Sequence, residues 1–296
     1  MRFALAWTSV LVCALHVPAQ TESRPEALEV TVERDVEYGV AKDVSLRCDV
    51  YRPKETPEAL MPAVIWIHGG GWRGGDKAKG ANAMALAKRG FVALSVNYRL
   101  SGVAPFPAAV EDCKCAVRWL RASAEEYHVD PDRIGVWGGS AGGHLALMVG
   151  CADEKAGLEG KGGYARVSSR VQAVCSWYGP ADLTVLTDGA SEPVSLFLGG
   201  SPAEKPEASK AASPVTWASK DDPPVLMVHG EKDALVPIDQ SERMLKALTE
   251  AGAEAELVRV KNAGHGWQAS GGRRDPSPEA ILERCLEFFE KCLKSK

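Results

Sequence analysis

The sequence predicts an α/β fold, with a mostly parallel central sheet and helices on both faces. Three observations predict it. Short apolar runs at 63–67 and 91–96 have the length of strands buried on both faces. Segments with helical apolar spacing alternate with these runs. Many of the 29 glycines cluster between the two kinds of segment, where a strand must turn tightly into a helix. A chain of 296 residues suits one large domain of this kind, and 45% hydrophobic with 25% charged residues is ordinary for a globular protein.

Residues 30–38 and 44–51 read as strands. In the second, Val44, Leu46, Cys48 and Val50 alternate with polar residues, so one face is buried. A strand at 63–67, a helix at 83–88 and a strand at 91–96 follow. Pro107 opens a helix running to about residue 127, with proline in its favoured first turn. Next come a strand at 134–137, a helix at 141–149, strands at 171–177 and 225–228, and a helix at 238–251 that Gly252 ends. After a strand at 256–260, Ile281, Leu282, Cys285, Leu286, Phe288, Phe289 and Cys292 form the apolar face of a last helix. Between residues 179 and 224, Gly, Pro, Ser and Ala dominate and no periodicity emerges. This stretch is expected to be a lid-like, substrate-binding insertion in a single domain spanning 21–296; the alternative is a solvated decoration.

Residues 1–20 resemble an export signal. Arg2 supplies a positive start, residues 3–17 are mostly apolar but too short to span a bilayer, and Val17-Pro18-Ala19 resembles a cleavage site. A secreted or periplasmic location is expected, with no membrane segment after cleavage; an uncleaved N-terminal anchor is the competing interpretation. A net charge of −4 gives no reason to expect nucleic acid or an anionic membrane as partner. Of eight cysteines, Cys13 would leave with the leader. Cys113 and Cys115 diverge on a helix, and Cys285 and Cys292 stand about 10 Å apart along another. Most of the remaining thiols are expected to be buried small hydrophobes. No Cys or His spacing suggests a metal site, and no cofactor is expected.

The central chemical signal is Gly138-Gly139-Ser140-Ala141-Gly142, between a strand and a helix. A serine on so sharp a turn projects above the sheet edge as a nucleophile. Directly after the 63–67 strand, His68-Gly69-Gly70-Gly71-Trp72 leaves backbone N–H groups uncovered, suited to cradling an oxyanion together with the N–H of Ala141. Gly69, Gly71 and Gly74 also fit a dinucleotide fingerprint. The acid expected about 20 residues on is missing, although Asn97 and Arg99 would suit a 2′-phosphate.

A serine nucleophile needs a base, and the base needs a carboxylate. Among six histidines, His265 lies in a glycine-flanked loop between the last strand and the last helix and is the best base. His68 more naturally positions the glycine loop. Asp233 follows a strand and precedes His265; Glu231, Asp239 and Asp182 compete with it. The order Ser140, Asp233, His265 is that of the α/β-hydrolases.

The chain resembles the α/β-hydrolase esterases related to hormone-sensitive lipase, and more closely the BD-FAE-like group of acetylxylan and feruloyl esterases. The resemblance rests on His68–Trp72, Asn97-Tyr98-Arg99-Leu100, the stretch 105–120 including Asp112, Gly138–Gly143, Ala212-Ser213-Pro214-Val215, 229–237 and Gly264-His265-Gly266. It implies an α/β-hydrolase fold, oxyanion contacts from Gly70, Gly71 and Ala141, and a structural role for Asp112. It also implies a small-molecule or oligosaccharide ester as substrate. The lipase-related helical cap before the glycine loop is missing, so any lid must come from 179–224, where Phe197, Leu198 and Trp217, with Trp72 nearby, are the expected substrate contacts. A prolyl-oligopeptidase-type peptidase, a non-catalytic module of this fold and an NADP-dependent oxidoreductase are the other functions considered; a general short-chain carboxylesterase is the alternative within the esterases.

Overall fold

A computed structural model of the chain describes residues 27–186 and 191–294. The expected export signal at 1–20 lies outside them. The elements run β1 (Val30–Ala41), β2 (Val44–Pro53), β3 (Met61–Ile67), α1 (Ala81–Ala87), β4 (Val92–Val96), α2 (Ala108–Ala122), β5 (Val129–Gly139) and α3 (Ala141–Cys151). They continue with β6 (Ala173–Trp177), α4 (Ser191–Leu198), α5 (Pro206–Ala211), β7 (Val225–Gly230), α6 (Asp239–Ala251), β8 (Ala255–Val260) and α7 (Pro278–Leu293).

One sheet orders them β1-β2-β4-β3-β5-β6-β7-β8. The β1–β2 and β2–β4 pairs are antiparallel. From β4 to β8 every pair is parallel. The alternation of strand pleats explains the apolar runs. Ala63, Ile65 and Ile67 of β3 face a core completed by α2, α3 and α6, while Val64 and Trp66 face a second core completed by α1 and α7. Both faces are therefore buried and the central strands are mostly apolar, with Ser95, Ser176 and His229 as buried polar residues among them. The result is the α/β-hydrolase arrangement expected from the sequence.

Two details differ from expectation. Helix α2 stops at Ala122, before the expected end near residue 127, and the chain turns at His128, which takes a positive φ of 54°. The segment 179–224 is not structureless: it carries α4, α5 and a short 3-10 turn at Pro214–Thr216. These pieces are short, so their apolar periodicity was never long enough to stand out. Cys48, Cys113, Cys115, Cys151, Cys175 and Cys285 are buried thiols. Among the described residues, no helix is long and apolar enough to cross a membrane.

Candidate active site

Strand β5 delivers Ser140 and helix α3 leaves from it. Ser140 holds φ 56° and ψ −122°, a conformation that costs an L-residue about 1–3 kcal/mol. Two close backbone approaches impose the turn. A Cβ on Gly138 would stand 2.1 Å from the Gly142 carbonyl oxygen, and one on Gly142 would stand 2.1 Å from that of Ile67. Only glycine fits either position. The Ser140 N–H donates to the Trp177 carbonyl at 2.8 Å, tying the turn to the end of β6.

The hydroxyl of Ser140 lies 2.9 Å from Nε2 of His265, and Nδ1 of His265 lies 2.7 Å from Oδ2 of Asp233. His265 comes from the loop after β8, and Asp233 from the loop after β7. The other Asp233 oxygen accepts the N–H groups of Leu235 at 3.0 Å and Val236 at 2.9 Å. Burial alone would raise the Asp233 pKa. Hydrogen bonds from His229, His265 and the Val236 amide outweigh it and hold this carboxyl well below the ordinary carboxylate range. The competing acids are engaged elsewhere. Asp182 and Asp239 both lie against Arg243, at 3.5 and 3.0 Å, and Glu231 is exposed.

The glycine loop after β3 forms a wall of the same cleft. Gly70 and Gly71, together with Ser140 and His265, line a cavity of about 550 Å³. Gly70 takes φ 122°, and a Cβ there would strike the Gly74 carbonyl oxygen at 2.1 Å. Ala141 opens α3, where its N–H has no acceptor within the helix. His68 is buried, donates from Nδ1 to the Gly69 carbonyl at 2.8 Å and stacks on Tyr98. Burial lowers its pKa against the opposing pull of that carbonyl, so it serves the loop as a neutral ring.

The expected substrate contacts need correction. Trp72, Phe197 and Leu198 are buried and line no part of the cleft. Trp72 takes φ 55°, which turns its ring inward to stack on Phe197 at 4.6 Å and to donate from Nε1 to Nδ1 of His144 at 3.2 Å. Trp217 is half-buried against the core and donates to the Ala211 carbonyl at 2.8 Å. The insertion reaches the cleft through other residues. Glu192 and Pro193, in the first turn of α4, line it, and Glu192 pairs with Arg73 of the glycine loop at 2.7 Å.

Dinucleotide binding finds no support in the loop. The chain after Gly71 winds through turns before α1 begins at Ala81, so no helix N-terminus meets the glycines. Asn97 accepts the Lys77 N–H at 2.6 Å, and Arg99 clasps Asp112 with Nε and Nη2 at 3.0 and 2.7 Å. Both side chains are spent on the scaffold, as is Asp112. Among the described residues, no cluster of His, Cys, Asp and Glu is placed to hold a metal ion.

Sequence reasoning missed Trp66, Tyr178, Pro193 and Leu235, which line the cleft, and His229, which touches Asp233. A signal existed for Tyr178: it stands at the carboxyl end of a parallel strand, where open α/β sheets bind their ligands.

Known proteins resemble this chain in sequence and fold. Esterase LipQ of Mycobacterium tuberculosis is 32% identical over 282 residues, which span 93% of this chain and 64% of LipQ. The chain thus spans less than two thirds of that relative's length. A truncated carbohydrate esterase from gut microbiota superposes with a TM-score of 0.80 at 29% identity, covering 92% of this chain and 99% of the other. Esterase 2 of Thermogutta terrifontis, in a form phosphonylated by sarin, superposes with a TM-score of 0.77 at 29% identity over 92% of this chain and 99% of its own. The BD-FAE family profile matches residues 48–248, from β2 through the glycine loop, the Ser140 turn and Asp233 into α6, and the chain is a member of the BD-FAE family.

Proposed function

We propose that this chain is a serine carboxylic-ester hydrolase that works through an acyl-enzyme on short acyl esters, as a general carboxylesterase. The observation that carries this proposal is the unbroken relay from Ser140 Oγ through His265 to Asp233, opening into a cleft walled by Gly70 and Gly71. His265 Nε2 takes the Ser140 proton as Oγ bonds to the ester carbonyl carbon. The N–H groups of Gly70, Gly71 and Ala141 hold the resulting oxyanion. Asp233 keeps Nδ1 protonated and stabilises the imidazolium. The carbon–alkoxy bond then breaks, and His265 returns the proton to the departing oxygen. Water, giving its proton to the same nitrogen, adds to the acyl carbon and releases the acid and free Ser140. Side chains and backbone suffice for every step, with no cofactor.

Acetyl or feruloyl esters of plant polysaccharide are the second substrate reading. It is favoured by the likeness to the gut carbohydrate esterase and by the cleft's position at the surface beside exposed Arg73 and Lys79. Export, proposed from residues 1–20, accords with a substrate outside the cell. Rates on nitrophenyl esters from acetyl to octanoyl, on acetylated xylan and on methyl ferulate separate the readings. Fast turnover of acetyl to butyryl esters with inert polymers supports the general carboxylesterase. Acetate release from xylan exceeding that from a soluble control at matched acetyl content supports the polysaccharide reading. No hydrolysis of any ester contradicts both.

A further inference from the structure

Tyr178 occupies a position that its local fold makes expensive. It takes φ 40°, a left-handed value that a bulky side chain rarely adopts. Two constraints force it. The Tyr178 N–H is bonded to the Val228 carbonyl at 2.9 Å, holding it in line with β6 and β7. The next residue, Gly179, lies so close to α3 that a Cβ would stand 2.6 Å from the backbone of Gly143 and His144. The chain must therefore turn at Tyr178, and its side chain swings over the Ser140 turn.

Three contacts fix what the ring does there. It meets the His265 ring edge-on at 4.8 Å and the Trp267 ring at 4.7 Å. A Cβ on Gly139 would stand 3.4 Å from the Tyr178 hydroxyl and 3.7 Å from the rim of Trp66. No group among the described residues hydrogen-bonds that hydroxyl, and Tyr178 lines the cleft. Burial first, and then the nearby Asp233 charge, push its pKa up to about 12, so it keeps its proton at working pH.

On the proposed mechanism the alcohol departs on the His265 side, because His265 must protonate its oxygen. Tyr178 flanks that side. We propose that Tyr178 is a specificity-determining residue whose hydroxyl hydrogen-bonds a hydroxyl group next to the ester oxygen of the leaving alcohol, so that the site prefers esters of polyols to esters of plain alkanols. A polyol supplies the missing partner. An alkyl alcohol covers the phenol without pairing it, which is the kind of mismatch on which polar sites discriminate. This inference rests on the serine-esterase proposal above.

The test compares 1-monoacetylglycerol with propyl acetate, which share the acyl group and the carbon count of the alcohol. Wild type should favour the glycerol ester in kcat/KM, and Tyr178→Phe should cut that preference roughly tenfold, falling more heavily on the glycerol ester than on propyl acetate. Nitrophenyl acetate hydrolysis and phosphonate labelling of Ser140 report any disturbance of His265 by the substitution, and the preference is read as the ratio of the two acetates, in which such a disturbance cancels. A second measurement needs no variant: glycerol should outcompete 1-propanol as acceptor from the acyl-enzyme. Equal loss on both esters, an unchanged ratio in Tyr178→Phe, or equal partitioning to the two alcohols overturns the assignment of Tyr178 while leaving the esterase intact. Absent hydrolysis together with absent phosphonate labelling would instead overturn the esterase proposal and this inference with it.

Discussion

His229 lies against the carboxylate of Asp233, with Nε2 3.5 Å from Oδ2, the oxygen that also holds His265. The same nitrogen donates to the Val236 carbonyl at 2.9 Å, and Nδ1 accepts from the Ser241 hydroxyl at 2.7 Å. His229 is fully buried, so it fixes both the loop that carries Asp233 and the charge on it.

His229→Leu should lower kcat about tenfold with little change in KM, and His229→Gln should recover part of the loss. Stability should respond as well. Because the Asp233 pKa is depressed in the fold, its contribution is fully present above the unfolded carboxyl value near about 4 and is lost as pH falls through the depressed value. Removing His229 shrinks the depression, so the loss should be smaller in total and complete at a higher pH. Urea titrations across the acid range check this; identical acid profiles for wild type and His229→Leu would contradict it.

His144 should behave as a structural, uncharged imidazole. It is buried, accepts from Trp72 Nε1 and donates from Nε2 to the Ala212 carbonyl at 2.7 Å, pinning the glycine loop and the end of α5 to α3. Burial, opposed by that carbonyl, pushes its pKa down to about 4. The unfolded chain therefore binds the extra proton first. Stability should be complete above the unfolded value near about 6.5 and fall by roughly 3 kcal/mol on acidification to pH 4. His144→Leu should abolish that particular slope while costing about 2–4 kcal/mol at neutral pH, because a carbonyl and an indole N–H are left unpaired.

The strain at Ser140 gives a stability signature. Ser140→Ala and Ser140→Gly both remove the hydroxyl and should both lose hydrolysis by about 10⁴ to 10⁶. Only glycine relaxes φ 56°. Ser140→Gly should exceed Ser140→Ala in unfolding free energy by about 1–3 kcal/mol. Equal urea midpoints for the two would show that the turn stores no strain.

The insertion should set substrate choice through its first helical turn rather than through its buried aromatics. Phe197→Ala should destabilise the protein by about 3–5 kcal/mol and scale all esters together. Pro193→Ala, which opens the cleft beside Gly71, should raise the rate on bulky esters relative to acetate by a fewfold. Ratios unchanged in Pro193→Ala but shifted in a folded Phe197→Ala would reverse these roles.

The strands and Ser140, Asp233 and His265 were legible because each is marked locally. Apolar runs such as 63–67 need no partner to be recognised, and glycines at fixed spacing declare the turn that exposes Ser140. The packing of the insertion was not legible, since nothing in Phe197 or Trp72 distinguishes an aromatic that faces substrate from one that packs inward, edge-on to His144. That choice depends on the positive φ of Trp72 and on α4 folding back over it. Tyr178 was hidden for a related reason: its orientation follows from how closely Gly179 approaches α3, a contact between residues distant in sequence.

The most direct test of the central claim is mass-spectrometric mapping of protein treated with an organophosphonate, on wild type and His265→Ala side by side. Wild type should carry one adduct, on Ser140, and His265→Ala should react slower by about 10⁴ or more because the hydroxyl has lost its base. An adduct on any other residue, or equal labelling of Ser140 in both proteins, would contradict the relay.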